Sequence, residues 1–443
     1  MHRNRRRIVS ALALATVLTW ATTRAQQMPS ASMLQKDKQS VPVGFGATVI
    51  DGQLFYLINI APELSFGKLG VGLDLNLRYN PETKKLRAQD FDEFYDYVRI
   101  IRYVRWAQKG DPFYIRLGRL DYSRLGHGFI MYNYRNSSSY DLRRLGLELD
   151  LDFEKYGFES VYSDFAGRGV LGARGYVRPL QFTSAADIPV IGNVETGMTY
   201  ATDIHRDANR LFTAPQTSED KGSMGVFGLD LGLPLLSLPM IKSTLYFDYA
   251  KIVGYGNGAA AGISFDFSGM GLFTAALKYE RRWMGDQFLP SYFNALYERD
   301  RIVKQDSVRF VSKAMELNAV TKSQGYYGEI LVSILNTINV VGGYQAPVGV
   351  PGNNGILHLE LQTGDALPLL VSGGYDKKNI GPVFTLDNNS VLYAQIGYKP
   401  YPFLLVSMLY EWTWTEEKDA SGIVIGFKEQ KRIEPKVSLV INF

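Results

Sequence analysis

The chain has 443 residues, of which 46% are hydrophobic and 13% aromatic, with 28 Tyr, 24 Phe, 43 Gly and no Cys. The lack of Cys excludes disulfides, thiolate metal sites, cysteine nucleophiles and a lipid-modified N-terminal cysteine. The formal charge is +4, but five of the 48 basic residues lie in the first 25 positions. The rest of the chain is therefore nearly neutral and gives no reason to expect a nucleic-acid partner.

The first residues predict a secretory signal peptide. Arginines cluster before an apolar stretch that runs from Ile8 to about Ala21, and small residues follow at Thr23 and Ala25. The apolar stretch is shorter than the roughly 20 residues of a spanning helix, which disfavours an N-terminal membrane anchor. We therefore predict a signal peptide over 1–25 and a flexible N-terminal segment over 26–42. The arginines are Arg3, Arg5, Arg6 and Arg7.

Alternation of apolar and polar residues recurs along the rest of the chain. It is clearest over 71–79, 145–153, 273–282 and 404–415. A period of two is typical of a strand with one apolar and one polar face. Together with weaker segments this gives about 19 candidate strands, some of which we expect to be split or false.

The expected fold is a transmembrane β-barrel. After the signal, no run of 18 apolar residues occurs, and only helices or closed barrels satisfy the backbone inside a bilayer. We therefore predict an all-β, antiparallel up-and-down barrel over 43–443, in the bacterial outer membrane. Because bacterial single-chain barrels use even strand numbers, we expect about 16 strands, with a range of 14 to 18. A soluble secreted β protein is the competing fold.

The polar faces of the predicted strands would line a hydrated lumen. They carry charges of both signs, as a water-filled interior allows. Arginines on the neighbouring segments 97–107 and 113–119 could attract anionic solutes, or could equally pair with nearby acids. The lumen-lining candidates are Asp74, Arg78, Arg116, Glu148, Asp150, Asp152, Lys278, Glu280 and Arg282.

Two histidines lie in settings that invite a catalytic interpretation. His127 stands between Gly126 and Gly128, and His205 lies beside Asp203 and Asp207. A base with a carboxylate partner suits a barrel hydrolase, but solvated loop charge at His205 and a turn or lumen-lining histidine at His127 are the more common outcome. We therefore predict no enzyme activity, no catalytic or metal-binding residues, and no cofactor.

One long connection, 285–322, differs from the others. It is charged, lacks alternation and could form a short helix from Tyr292 to Glu298. A loop of this length is uncommon unless it has a function. It either folds into the lumen as a constriction or forms a solvated surface excursion.

The C-terminus alternates Val437, Leu439 and Ile441 with polar positions and stops at Phe443. Such an end is similar to the terminal strand that the barrel-assembly machinery recognises. Over nearly its whole mature length the chain resembles outer-membrane porin-type β-barrels, although it carries no diagnostic motif. The resemblance implies contact with outer-membrane lipid, assembly through that strand and a possible homo-oligomer.

The function predicted from the sequence is a channel or transporter for passive passage of small hydrophilic or amphipathic solutes. Two alternatives stay open. One is a non-conducting barrel that serves as a surface scaffold, adhesin or assembly component, and the other is a barrel hydrolase.

Overall fold

The main sheet of the protein is antiparallel and closed on itself, and a separate two-stranded sheet pairs Ile302–Lys304 with Phe310–Ser312. The computed structural model describes residues 40–443 except 93, 138–143, 166–168, 206–207, 209–221, 269–270, 305–309, 336, 349–354, 365–366, 381–385, 388, 419–423 and 443. Strand Ser40–Ile50 pairs with Gln53–Ile60 on one side and with Val424–Asn442 on the other. Because the first and last strands are hydrogen-bonded to each other, the sheet is a barrel, which confirms the predicted fold class.

The barrel has more strands than the sequence predicted. The sheet contains 23 strands, but Gln53–Ile60 continues as Glu63–Phe66, and Leu69–Leu73 continues as Leu75–Asn80. With those joined, and without the two-residue strand Lys85–Leu86, the described part of the chain forms a 20-stranded barrel. This exceeds the predicted 16 and its range.

The strand count was too low for two reasons: true candidates were discounted as split or false, and one strand was missed. Every candidate segment is a strand, so the expected false candidates do not exist. The strand that the sequence did not reveal is Ser40–Ile50, which has weak apolar contrast because one of its faces carries glycine. An added Cβ at Gly46 would lie 2.1 Å from the backbone oxygen of Pro435, so the last strand approaches too closely for a side chain. The barrel thus begins inside the segment 26–42.

The other barrel strands follow in chain order. They are Ile101–Trp106, Phe113–Gly118, Gly146–Asp152, Tyr156–Tyr162, Val170–Val177, Glu195–Asp203, Met224–Ser237, Ile241–Ile252, Asn257–Phe267, Phe273–Met284, Ser323–Ile334, Ile338–Val348, Ile356–Thr363, Leu369–Lys378, Ser390–Tyr401 and Leu404–Lys418. Short helices occupy Phe94–Val98, Tyr297–Asp300 and Lys313–Glu316. The helix predicted from Tyr292 therefore begins only at Tyr297.

The outer surface of the barrel is apolar. In strand Ile241–Ile252, Leu245 and Phe247 are each 45% exposed, whereas Tyr246 and Asp248 are buried. The same inversion recurs at Tyr279, Ile330 and Ile396 on other strands. A contiguous apolar surface of this extent is not stable in water, because soluble monomers rarely expose patches beyond a few hundred Å². Among the described helices, none is long and apolar enough to span a bilayer.

The two ends of the barrel differ. The start of Ser40–Ile50, the end of Val424–Asn442 and most of the short turns lie at one end, which we call the terminal end; the connection 178–194 also lies there. Most of the long connections lie at the other, which we call the loop end, and they include 119–145 and 285–322. The tight turn predicted at Asp51 and Gly52 is present, with positive φ at both residues (50° and 82°).

Two of the long connections fold into the barrel. Residues 119–136 and 285–322, together called the plug, supply Leu120, Met131, Phe293 and Leu317, which are all fully buried. A loop on the outer surface could not contact strands from opposite sides of the barrel. Tyr297 contacts Asp203 and Arg299 contacts Trp414, so this part of the second loop lies inside the barrel.

Candidate functional site

The interior is layered along the barrel axis. Near the loop end, the inner wall is apolar at positions such as Val161, Val226 and Ile252, which pack against Phe293 and other plug residues in one buried cluster. Deeper in the barrel, the same strands present charges instead of apolar side chains. The plug therefore rests on a polar floor.

Wall carboxylates hold the first plug loop, 119–136, on several sides. Glu159 accepts the backbone N–H of Gly126 at 2.7 Å, and Glu360 accepts the Tyr122 hydroxyl at 2.6 Å. Hydrogen bonds to charged groups stabilise by about 1.5–3 kcal/mol each, so the set holds the loop firmly. The remaining pairs are His127 with Asp248, Tyr132 with Glu329, and Arg135 with Asp376.

Asp203 performs the same role for the second plug loop. Its Oδ2 accepts the Tyr297 hydroxyl at 2.8 Å and pairs with the Arg301 guanidinium at 2.9 Å. Asp203 has no exposed surface. Nearby, Lys378 of the wall pairs with Asp300 of the loop at 2.8 Å. Charge pairs therefore hold the second loop at two strand ends. At Asp203 the wall supplies the acid, and at Lys378 the wall supplies the base.

Lys278 is a buried wall cation in contact with the first plug loop. Its ammonium lies 2.7 Å from Glu280 and donates a hydrogen bond to the backbone oxygen of His127. It also stands over the rings of Tyr132 and Tyr327, at 4.9 and 5.5 Å from their centroids. Cation–π contacts of this kind strengthen when they are desolvated, so Lys278 links the first loop to two strands at once.

The predicted lumen residues lie on the inner face in separate groups. Lys278, Glu280 and Arg282 form one run, with the Glu280 carboxylate 2.6 Å from Arg282. Glu148 and Asp150 share the ammonium of Lys109, at 3.5 and 2.9 Å.

The other four predicted positions do not join a single site. Asp152 pairs with Arg178 at 3.0 Å. Asp74 accepts a hydrogen bond from Asn59 at 3.0 Å, and Arg78 pairs with Asp90 at 3.1 Å. Arg116 donates to the backbone oxygen of Arg119 at 3.1 Å and stacks on Tyr103. Arg116, one of the arginines expected to attract anionic solutes, is thus engaged in local contacts.

The two histidines have different surroundings. Nδ1 of His127 lies 3.0 Å from Asp248, and its ring stacks on Tyr246. Burial disfavours the charged ring, but the Asp248 carboxylate outweighs burial and raises the pKa of His127 above its usual value. The backbone N–H of His205 donates to Asp203, while Asp207 lies outside the described residues. His127 therefore serves to dock the loop.

The sequence did not single out the wall acids that hold the plug. Asp248, Glu329, Glu360 and Asp376 lie at inward positions of strands. The available signal was the alternation of inward polar and outward apolar residues along each strand. This signal is weak where glycine or tyrosine interrupts the alternation. Their importance depends on which loops enter the barrel, and sequence alone does not specify that.

No family model matches the chain, and no curated protein matches it. Among solved structures, the chain is 9% identical to the Escherichia coli ferric-catecholate import receptor Fiu, covering 94% of this chain and 82% of that one, with a TM-score of 0.35. It is 10% identical to Pseudomonas aeruginosa OccK9 (OpdG), with 91% and 98% covered and a TM-score of 0.33. These scores do not establish a common fold, and the barrel assignment follows from strand pairing alone.

Proposed function

We propose that the protein is a bacterial outer-membrane transporter for small hydrophilic or amphipathic solutes, closed in the described state by its plug. The observation that carries this proposal is a wide barrel with a charged inner wall, filled by two of its own loops. Passage then requires movement of the plug.

The membrane location is supported by the outward face. Side chains such as Leu245 and Phe247 are exposed on strands whose neighbouring positions are buried and polar. In lipid this arrangement buries apolar area, at about 25 cal/mol per Å², and the closed sheet leaves no unpaired backbone edge in the bilayer. Most long loops lie at one end and most short turns at the other, as in outer-membrane barrels, and this asymmetry supports a loop end that faces the outside of the cell.

Barrel width supports transport over a purely structural role. Barrels of about 8 strands are filled by their own side chains, those of 16–18 enclose an aqueous channel, and those of 22 carry a plugged lumen. A scaffold needs only the smallest of these. The 20 strands seen here enclose a lumen that side chains alone do not fill, and the plug occupies it.

The contacts between plug and wall support movement. Deep in the barrel the wall presents carboxylates such as Glu159 and Asp248 to the first loop. Water can replace the plug's donors at these groups, so undocking does not leave buried charges without partners. The barrel itself, closed by backbone hydrogen bonds, remains intact when the plug moves.

The test is conductance in a planar bilayer with the plug free or tethered. An added Cβ at Gly172 would lie 2.6 Å from Cδ1 of Leu125, and its three nearest neighbours are all side-chain atoms, so Leu125→Cys and Gly172→Cys place two thiols at a contact between plug and wall, where we expect oxidation to join them. The chain has no other Cys. We expect intermittent conductance steps in the unmodified protein, none in the oxidised double variant, and their return on reduction. Leu125→Cys alone is the control.

A second variant removes the loop 285–322. Met284 and Ser323 are direct partners on adjacent strands, so a two-residue Asn-Gly turn can join them. We expect larger and more persistent conductance from this variant. Silence in every variant, with the strand content verified by circular dichroism, would reject the transporter and favour a non-conducting scaffold. Equal conductance in the oxidised and reduced double variant would show that the solute pathway does not pass through the plug.

A further inference from the structure

A cavity of about 370 Å³ lies between the plug and the wall near the loop end. Small-molecule sites usually have volumes of about 300–1,000 Å³ and combine an apolar lining with a few polar groups. Phe288 and Leu296 of the plug and Ile356 of the wall contribute apolar surface here. Glu316 and Thr321 at the rim are exposed, so solvent reaches the cavity.

Most charged groups that line this cavity are already paired. Arg282 lies 2.6 Å from Glu280, and Lys378 lies 2.8 Å from Asp300. Asp376 is 2.6 Å from His358. These pairs satisfy each other and leave little net charge for a ligand.

Lys313 is the exception among the charges buried around the cavity. It is 6% exposed, and among the described residues no carboxylate lies within ion-pair distance of its ammonium. One of its three N–H groups donates to the backbone oxygen of Tyr292 at 2.8 Å. The ammonium also stands over the Tyr292 ring, 4.8 Å from the centroid. Asp300 and Glu316 favour its charge from beyond ion-pair distance, so Lys313 lacks the close carboxylate that normally offsets the desolvation of a buried cation.

Two further polar atoms in the lining lack hydrogen-bond partners within the described part of the chain. They are the hydroxyl of Tyr292, a residue that is 1% exposed, and Nε2 of His358, which is 6% exposed. Buried polar atoms are nearly always hydrogen-bonded, so groups left open at a cavity indicate a ligand that would complete them. Both atoms belong to residues that line the same cavity as Lys313.

We propose that this cavity binds a small amphipathic anion, with the anionic group at Lys313 and the apolar body between Phe288, Leu296 and Ile356. The ligand would supply a close counterion for Lys313 and an acceptor for the Tyr292 hydroxyl, and Nε2 of His358 donates to it when the ring is protonated. Because plug and wall each form part of the cavity, such a ligand binds the docked plug better than the displaced one and stabilises the closed state. The site does not depend on transport, since its occupancy is an equilibrium property of the closed barrel.

The test is calorimetric titration of the full chain in lipid nanodiscs with three probes of equal size. 3-Phenylpropionate carries the anion, 3-phenylpropanol is neutral and 3-phenylpropylammonium is a cation. A charge-assisted hydrogen bond in a desolvated site contributes enough for about tenfold tighter binding of the carboxylate than of the alcohol. We expect the ammonium probe to bind most weakly.

Three variants assign the preference to its source. Lys313→Gln should remove the discrimination between acid and alcohol, and Tyr292→Phe should reduce it while leaving the ring in place. Lys322→Gln changes an exposed lysine of the same loop outside the cavity, and should leave it intact. If Lys313→Gln fails to fold, Tyr292→Phe still tests the site, because it should reduce the preference for the acid over the alcohol.

Equal binding of acid and alcohol, preference for the cation, no binding of any probe, or discrimination that survives Lys313→Gln would each overturn the proposal. The conductance experiments give their answer independently. Binding with no conductance therefore retains this site and rejects transport, and conductance with no binding does the reverse.

Discussion

Met131 and Phe293 lie side by side in a parallel β-bridge inside the barrel, although one belongs to the first plug loop and the other to the second. The backbone N–H of Tyr132 donates to the oxygen of Phe293 at 3.0 Å, and the N–H of Phe293 donates to the oxygen of Ile130 at 3.2 Å. The bridge joins the two loops by backbone hydrogen bonds. We therefore expect them to dock and undock as one body.

Truncating Phe293 should loosen both loops. Phe293 is fully buried and contacts the rings of Tyr292 and Tyr297 at centroid distances of 5.2 and 4.7 Å. Phe293→Ala should cost about 3–5 kcal/mol of docking free energy. Hydrogen exchange should rise in 119–136 as well as in 285–322, while the strands stay protected. Phe403→Ala, at a 56% exposed site, is the control. Equal loss of protection in the strands would instead show that plug and barrel unfold together.

Replacing Lys278 should release the first loop. Lys278→Met removes the donor to the His127 backbone and the cation over Tyr132, while Arg282 still neutralises Glu280. Removing one member of a buried charged network typically costs about 3–5 kcal/mol. We expect a higher open fraction in single-channel recordings. Lys431→Met, at an exposed position, should not alter it. An unchanged open fraction in Lys278→Met would show that Lys278 does not contribute to plug docking.

Plug docking should weaken as the pH rises. The pKa of His127 is raised in the docked state by Asp248, against the opposing effect of burial. A raised pKa stabilises the protonated, docked form, so this contribution is complete below the ordinary histidine pKa of about 6.5 and is lost as the pH rises through the raised value. The open fraction should therefore increase with pH. His127→Asn should flatten the profile; a profile that His127→Asn leaves unchanged would contradict the assignment.

Binding of the anionic probe should take up protons in mildly alkaline solution. Burial lowers the pKa of the Lys313 ammonium to about 8 in the empty site. A bound carboxylate favours the charged amine and raises that pKa again, so proton uptake should appear near and above pH 8 and vanish near pH 6. Calorimetry in two buffers of different ionisation enthalpy measures it. Uptake that persists in Lys313→Gln would assign the proton to another group.

The opened lumen should prefer cations. Wall carboxylates such as Glu329 and Glu360 accept hydrogen bonds from Tyr132 and Tyr122 of the first plug loop, which is bridged to 285–322 through Met131 and Phe293. Removing 285–322 weakens that arrangement and leaves the acids facing water, which lowers the local potential. The reversal potential in a KCl gradient should show K⁺ preference. Glu329→Gln in the same background should reduce it; anion preference would contradict this account.

The sequence by itself determined the barrel. Its alternation marks every strand except Ser40–Ile50, and the polar face of each strand follows from parity alone, as at Asp150 and Lys278. That succeeds because a barrel strand has a side-chain period of two and a different solvent on each face. The count fell short at Ser40–Ile50, where glycines required by a close neighbouring strand weaken the contrast, and because about three of the 19 candidates were discounted as split or false although all of them are strands.

Tertiary structure alone decided what fills the barrel. The sequence left the loop 285–322 open between a lumen element and a surface excursion, and for 119–136 it offered only His127 as a turn or lumen-lining residue. Leu120, Tyr134 and Phe293 have no periodic pattern to place them, because irregular loops bury residues according to long-range contacts. The pairing of His127 with Asp248, and the isolation of Lys313 beside a cavity, likewise arise where distant segments meet inside a closed wall.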